Sequence, residues 1–204
     1  SESLAGRMEL HTLWPLSAGE LSGVREGFVD AAFAGRPPSP PGAGFSGTGD
    51  VLDRVLRGGF PEAVGREREA RRAAWFDSYV STILQRDVRD LANIERLAEL
   101  PRLLYLLAAR TSSLLNYSEL SRSSGLPQST LKRYLALLET TFLLRTLPAW
   151  SGNLSKRLVR SPKVMLCDTG LASHLQGVDA RRLAEEPALS GPLLRLNHKS
   201  GQFK

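Results

Sequence analysis

The residues best suited to chemistry stand at the start of one predicted helix. Gln128, Ser129, Thr130, Lys132 and Arg133 follow a glycine turn, with Leu131 between them. Glutamine and arginine can read base edges in the major groove, whereas serine, threonine and lysine can hold phosphates. The types and spacing of these five side chains therefore predict contact with double-stranded DNA.

The sequence around these residues carries a concentrated positive charge. The 204-residue chain has 27 lysines and arginines against 21 acidic residues, a formal net charge of +6. Residues 121–163, here called the basic segment, contain eight of these cations and one acid, Glu139, and so carry +7. Such a concentration is expected of a surface that binds a polyanion; the alternative is a solvated face, or one that meets an acidic partner. Four cations near its end are further candidate DNA contacts: Lys156, Arg157, Arg160 and Lys163.

Two short helices and a two-stranded ribbon are predicted to position these side chains. Residues 116–125 have the pattern of a capped helix that ends at a glycine, and in the following helix Leu131, Leu135 and Leu138 fall on one face. Residues 142–147 and 164–167 then have the composition of two strands. Helices followed by a ribbon predict a winged helix-turn-helix domain over residues 98–175.

The preceding half of the chain is predicted to be mostly helical. Residues 8–13 alternate apolar and polar side chains, as a half-buried strand does. Ser17 is a candidate N-cap of a short helix, with Glu20 completing a capping box. A loop rich in proline and glycine spans 36–49. Helical periodicity then continues from residue 50 to residue 110, including one long helix over 66–91.

Several kinds of chemistry are not supported by the sequence. A phosphate-binding loop needs Gly-x-x-x-x-Gly-Lys-Ser/Thr, and the chain has no such string, so ATP hydrolysis by this chain alone is not expected. Its three histidines are far apart, its one cysteine, Cys167, has the surroundings of a buried structural thiol, and no catalytic or metal-binding residue is predicted. Without an apolar run of about 18 residues or a signal peptide pattern, a cytoplasmic protein with no membrane partner is expected.

Several short motifs follow one another along residues 1–175. They are Ser3-Leu4-Ala5-Gly6-Arg7, Gly58-Gly59-Phe60-Pro61-Glu62-Ala63, Tyr79 through Ile83 with Gln85-Arg86-Asp87-Val88, Thr130-x-x-Arg133-Tyr134-Leu135-x-x-Leu138-Glu139, Lys156-Arg157, and Ser161-Pro162-Lys163 through Asp168-Thr169-Gly170-Leu171-Ala172. In order and spacing they resemble a family of prokaryotic AAA-type P-loop ATPases with a C-terminal winged-helix domain of unknown function.

The resemblance implies a larger complete protein. Members of the family have an N-terminal P-loop domain, which implies ATP and Mg²⁺ as cofactors, and a C-terminal nuclease-like extension. In the extension a glutamate follows Gly-x-Leu-Leu, whereas here Arg195 follows Leu194. The chain therefore resembles a fragment that lacks both parts and holds no cofactor itself. By position in the family, Arg7 and Arg86 are candidates for nucleotide sensing.

The resemblance also assigns an expected role to each segment. Residues 1–35 would be an α/β remnant of the ATPase core, 36–49 a linker loop, 50–97 a helical lid, 98–175 the winged helix, and 176–204 a truncated or unrelated tail. The resulting expectation is a mainly α-helical portion of an ATP-binding protein that supplies a lid and a winged-helix arm. The alternatives are a stand-alone DNA-binding module, and a module for protein docking or self-association. Enzymatic activity is left open, since the family consists of ATPases and this chain has no P-loop.

Overall fold

Helices make up most of the part of the chain that the computed structural model describes, namely residues 8–9, 11–25, 27–36, 48–88, 98–150 and 161–200. The helices are α1 (Ala18–Leu21), α2 (Phe28–Phe33), α3 (Thr48–Arg57), α4 (Pro61–Val64), α5 (Glu69–Thr82), α6 (Glu99–Ala108), α7 (Tyr117–Ser124), α8 (Gln128–Thr140), α9 (Thr169–Leu175), α10 (Ala180–Glu185) and α11 (Ser190–Ser200). A π-helical turn covers Ile83–Asp87 and a 3-10 turn covers Pro187–Leu189. None of the described helices is long and apolar enough to cross a membrane. The expectation of a mainly α-helical protein is confirmed.

One small antiparallel sheet accompanies the helices. Its strands are β1 (Ser113–Leu114), β2 (Leu144–Leu147) and β3 (Lys163–Leu166), in the order β1-β3-β2. The β2–β3 register pairs Leu144 with Leu166 and Leu147 with Lys163. The two strands predicted from the sequence are thus formed, each within one or two residues of its predicted limits.

The N-terminal segment agrees with the sequence only in part. The Ser17 hydroxyl accepts the Glu20 backbone N–H at 3.2 Å, and a Glu20 carboxylate oxygen accepts the Ser17 N–H at 2.8 Å, so the predicted capping box is confirmed. Residues 8–9 and 11–13, in contrast, form no strand. The strand predicted over residues 8–13 from the alternating pattern was therefore wrong. A strand is stable only beside a partner, and no described strand pairs with these residues.

The helix predicted over 66–91 begins later than expected and changes from an α-helix to a π-helical turn. It begins at Glu69 and passes into the π-helical turn at Ile83. A π turn holds more residues than an α turn, and therefore shifts the side chains that follow around the helix axis. Ile83, Leu84 and Val88 are all buried.

The helices of the central region enclose one apolar core. Leu103 of α6, Leu120 of α7 and Leu131 of α8 are fully buried, together with Val164 and Met165 of β3. The C-terminal residues, expected to be a truncated or unrelated tail, also join this core. Leu193 of α11 is fully buried, and the Pro192 carbonyl accepts a hydrogen bond of 3.0 Å from the Ser112 hydroxyl.

Two of the sequence motifs meet at a buried carboxylate. Asp168, the N-cap of α9, accepts the Leu171 N–H at 2.7 Å on Oδ1 and the Gly59 N–H at 2.6 Å on Oδ2. Burial raises the pKa of Asp168 to about 6, although backbone hydrogen bonds from Leu171 and Gly59 act in the opposite direction. We call this contact between the two motifs the Asp168 joint.

Close approach explains the glycines at the joint. Gly58 has a φ of +73°, and a Cβ there would overlap Oδ1 of Asp168. At Gly59 a Cβ would overlap the Leu16 carbonyl oxygen, which lies close because the Leu16 N–H donates to the Gly59 carbonyl at 2.8 Å. The joint therefore ties the N-terminal segment, the end of α3 and the start of α9 together.

Candidate nucleic-acid interface

The rotation of α8 is fixed by the residues it buries. Leu131, Tyr134, Leu135 and Leu138 are all buried against the core. Their spacing of three and four residues covers one side of the helix. The prediction that three leucines share the buried face is confirmed, and the opposite side of α8 is left toward solvent.

The exposed side of α8 carries four of the five residues singled out at its start. Gln128, Ser129, Lys132 and Arg133 are exposed, whereas Thr130 is half-buried. Within the described part of the chain no acidic side chain pairs with Lys132 or Arg133. The helix therefore presents two adjacent cations and two polar groups on one face, which we call the α8 face.

Side chains of the first turn of α7 hold two members of the α8 face. The Gln128 side-chain nitrogen donates to the Ser118 hydroxyl at 3.2 Å, and the Lys132 ammonium lies 5.5 Å from the centre of the Tyr117 ring. Neither Tyr117 nor Ser118 was identified from the sequence. The cap at Asn116 placed them at the start of a helix, but only the packing of α7 on α8 brings them beside Gln128 and Lys132.

The single acid of the basic segment is hydrogen-bonded to β2. One carboxylate oxygen of Glu139 accepts the Thr146 backbone N–H at 2.6 Å and the Thr146 hydroxyl at 2.8 Å. These bonds fasten the end of α8 to β2. Among the described residues, no ion pair joins Glu139 to Lys132 or Arg133.

The hairpin that follows α8 carries further cations. Lys163 is half-buried at the start of β3, between Leu147 and Leu114 of the neighbouring strands. Arg145 of β2 is exposed, and its guanidinium carbon lies 5.6 Å from the centre of the Trp14 ring. The Trp14 ring also packs edge-on against Phe142, with 5.7 Å between centroids. The N-terminal segment thus lies against the base of the hairpin.

Some predicted site residues lie elsewhere. Lys156, Arg157 and Arg160 of the hairpin loop fall outside the described residues, as does Arg7. Arg86 is exposed on the π-helical turn, an element separate from the α8 face. Of the two candidates for nucleotide sensing, the described residues therefore include Arg86 alone.

Other reactive groups offer no second site in the described structure. The Cys167 thiol is buried next to β3, and burial raises its pKa, so the prediction of a buried thiol is confirmed. No group of three or more histidine, cysteine or acidic side chains that could hold a metal ion occurs among the described residues.

Comparison with known proteins places the chain in a family. Residues 48–182 match the family described as "Domain of unknown function (DUF8612)". The chain is also 36% identical over 186 residues to Uncharacterized protein Rv2008c of Mycobacterium tuberculosis (strain ATCC 25618 / H37Rv). The same identity and length relate it to Uncharacterized protein Mb2031c of Mycobacterium bovis (strain ATCC BAA-935 / AF2122/97).

The matched region is a large part of this chain and a small part of its relatives. It covers 91% of this chain but 36% of each mycobacterial protein, so the chain spans about a third of their length. No solved structure matches the chain. The family match includes α3 to α9, and with them the Asp168 joint and the α8 face. The chain therefore belongs to the family described as domain of unknown function DUF8612.

Proposed function

We propose that this chain is the nucleic-acid-binding arm of a longer ATP-dependent protein, and that the α8 face contacts duplex DNA. The observation that carries the proposal is the exposed pair Lys132 and Arg133, set beside Ser129 and Gln128 on a helix whose other side is buried in the core. A helix presented in this way can enter a major groove, which is wide enough to admit it.

The arrangement around α8 supports a winged helix-turn-helix. Three residues join α7 to α8, Gly125 in the left-handed region ends α7 with a φ of +75°, and the β2–β3 hairpin follows. Glu139 fastens the hairpin to α8 through Thr146. Phosphates would then be bound by the cations of the hairpin while α8 lies in the groove. These cations are Lys163 and the three that the sequence places in the hairpin loop, Lys156, Arg157 and Arg160.

The ATP-dependent part of the proposal rests on the resemblance of the motifs and on the greater length of the relatives. The sequence has no P-loop string, and among the described residues Arg86 is an exposed cation on the π-helical turn. ATP and Mg²⁺ would belong to another part of the longer protein. Lid function for residues 50–97 and nucleotide sensing by Arg7 and Arg86 are proposals on the same basis.

The proposal is tested by fluorescence anisotropy with a labelled duplex of about 20 base pairs at about 50 and 200 mM salt. If Lys132, Arg133, Lys163 and the three loop cations all contact phosphates, Kd should rise about a thousandfold between the two conditions. The double variant Lys132→Ala/Arg133→Ala should bind more weakly and show a shallower salt dependence, by nearly two released ions.

A matched control removes the same charge elsewhere. Arg68 and Arg71 are exposed at the start of α5, so Arg68→Ala/Arg71→Ala lowers the net charge equally without changing the α8 face. Equal weakening in both double variants would mean that only net charge matters. A wild-type chain with no affinity at about 50 mM salt would contradict DNA binding and leave protein docking or self-association as the function of the α8 face.

A further inference from the structure

We infer that Tyr117 is a positioning residue for nucleic-acid binding, which holds the Lys132 ammonium in place on the α8 face before DNA arrives. The inference rests on the proposed function and adds to it a residue on a second helix. It follows from the contact between the two side chains and from the rotamer entropy that an unrestricted lysine would lose on binding DNA.

The contact joins groups of suited chemistry. The Lys132 ammonium lies 5.5 Å from the centre of the Tyr117 ring, within the range of about 6 Å at which a cation is attracted to an aromatic face. Lys132 is exposed and Tyr117 is half-buried, so the ring is anchored in the protein while the ammonium keeps access to solvent. Burial raises the pKa of the Tyr117 phenol, and Glu139 adds to this effect, so the ring is neutral at physiological pH.

The position of Tyr117 is itself fixed by local structure. The Asn116 side chain caps α7 by accepting the Glu119 N–H at 3.1 Å, and Glu119 pairs with Arg110 at 3.0 Å. Next to Tyr117, the Ser118 hydroxyl accepts a hydrogen bond from Gln128. The first turn of α7 therefore holds two side chains of the α8 face at once, and Tyr117 holds the charged one.

Holding the lysine has a consequence for affinity. Lysine has four rotatable side-chain bonds, and a complex that immobilises such a side chain loses its rotamer entropy. A ring that already restricts Lys132 in the free protein reduces that loss. Removal of the ring should therefore weaken binding only through Lys132, whereas a general structural role for Tyr117 would weaken binding with or without that lysine.

A double-mutant cycle on the full chain tests this dependence, with the labelled duplex of about 20 base pairs at about 50 mM salt. Tyr117→Leu should raise Kd about two- to tenfold, the effect of one released long side chain. In the Lys132→Ala background the same change should alter Kd by less than about twofold. Tyr117→Phe keeps the aromatic face and should bind as the wild type does. Tyr105→Leu, at an exposed tyrosine of α6 that is not part of the α8 face, is the matched control and should also leave Kd unchanged.

A second measurement needs no DNA. The ring current of Tyr117 should shift the Lys132 ε-methylene protons upfield in the NMR spectrum of the wild type and of Tyr117→Phe, and the shift should vanish in Tyr117→Leu. Equal effects of Tyr117→Leu in both backgrounds, or no ring-current shift in the wild type, would overturn the inference and leave DNA binding in place. A wild-type chain with no duplex affinity would overturn the proposed function and the inference together.

Discussion

The Asp168 joint should make the protein more stable as the pH falls from about 7.5 to about 5, opposite to the usual behaviour of a native carboxylate. Its pKa is raised from an ordinary value of 3.8 to about 6 because the group is buried. The folded state therefore holds the proton more tightly than the unfolded state does. The stability linked to this proton is fully present below the unfolded pKa and is lost as the pH rises through the folded one.

The magnitude follows from the two pKa values. Their difference corresponds to about 3 kcal/mol between the fully protonated and fully ionised limits. Between about pH 7.5 and about pH 5 the linkage relation gives about 1.4 kcal/mol of that amount, and the rest is reached only as the pH falls further toward the unfolded pKa of 3.8. The neighbouring groups that its charge affects, Tyr79 and Cys167, have raised pKa values and are neutral across this window.

Asp168→Asn isolates this contribution, because asparagine cannot titrate. One of the two N–H donors, from Gly59 or Leu171, would then face an amide NH₂ in place of an oxygen, and an unpaired buried donor costs about 1–3 kcal/mol at any pH. The assay is urea unfolding of both proteins, followed by tryptophan fluorescence at the two pH values. The difference in free energy of unfolding between the wild type and the variant should be about 1.4 kcal/mol more favourable to the wild type at the lower pH than at the higher pH. Parallel pH profiles would refute the assignment of a raised pKa to Asp168, since all other titrating groups are common to both proteins.

Two further substitutions test other contacts. Gly59→Ala should loosen the N-terminal segment, because the new methyl group overlaps the Leu16 carbonyl. Limited proteolysis should then cut faster within residues 8–25. The control is Gly65→Ala, where the nearest contact of the new methyl group is at 3.5 Å, and this variant should be cut at the wild-type rate. Glu139→Ala should lower the free energy of unfolding by about 1–3 kcal/mol because the Thr146 N–H loses its acceptor, while Glu139→Gln, which keeps an acceptor oxygen, should lose less than half of that. A Glu139→Gln variant as unstable as Glu139→Ala in chemical denaturation would show that the charge, and not the acceptor, is what β2 requires.

The elements around the α8 face could be predicted because their signals are local. The Asn116 cap, the glycine at position 125 and the leucine spacing of α8 all lie within about one turn of the feature they specify. The strand β1 could not be predicted in this way. It has two residues, and its identity as a strand depends on pairing with Val164 and Lys163 some fifty residues later.

The same limit applies to the contacts that complete the site. The sequence indicated Lys132 as a cation on a helix, but that the Tyr117 ring lies beside it follows from the packing of α7 on α8. The motifs containing Gly59 and Asp168 were each visible in the sequence, and nothing in either motif shows that the carboxylate of one accepts the N–H of the other. No helix was predicted within residues 176–204. Leu183 of α10 and Leu193 of α11 are buried by contact with the rest of the core, which the local sequence does not indicate.

The Asp168 joint also has a consequence for the order of folding. Gly59 and Asp168 are separated by 109 residues, and closing a loop of that size costs about 4 kcal/mol of chain entropy. The α7–α8 pair and the hairpin can form by short-range contacts before this closure. We therefore expect the joint to be among the last contacts made on folding, so that the N-terminal segment, which is held through Leu16, docks only on a chain whose α8 face has already assembled.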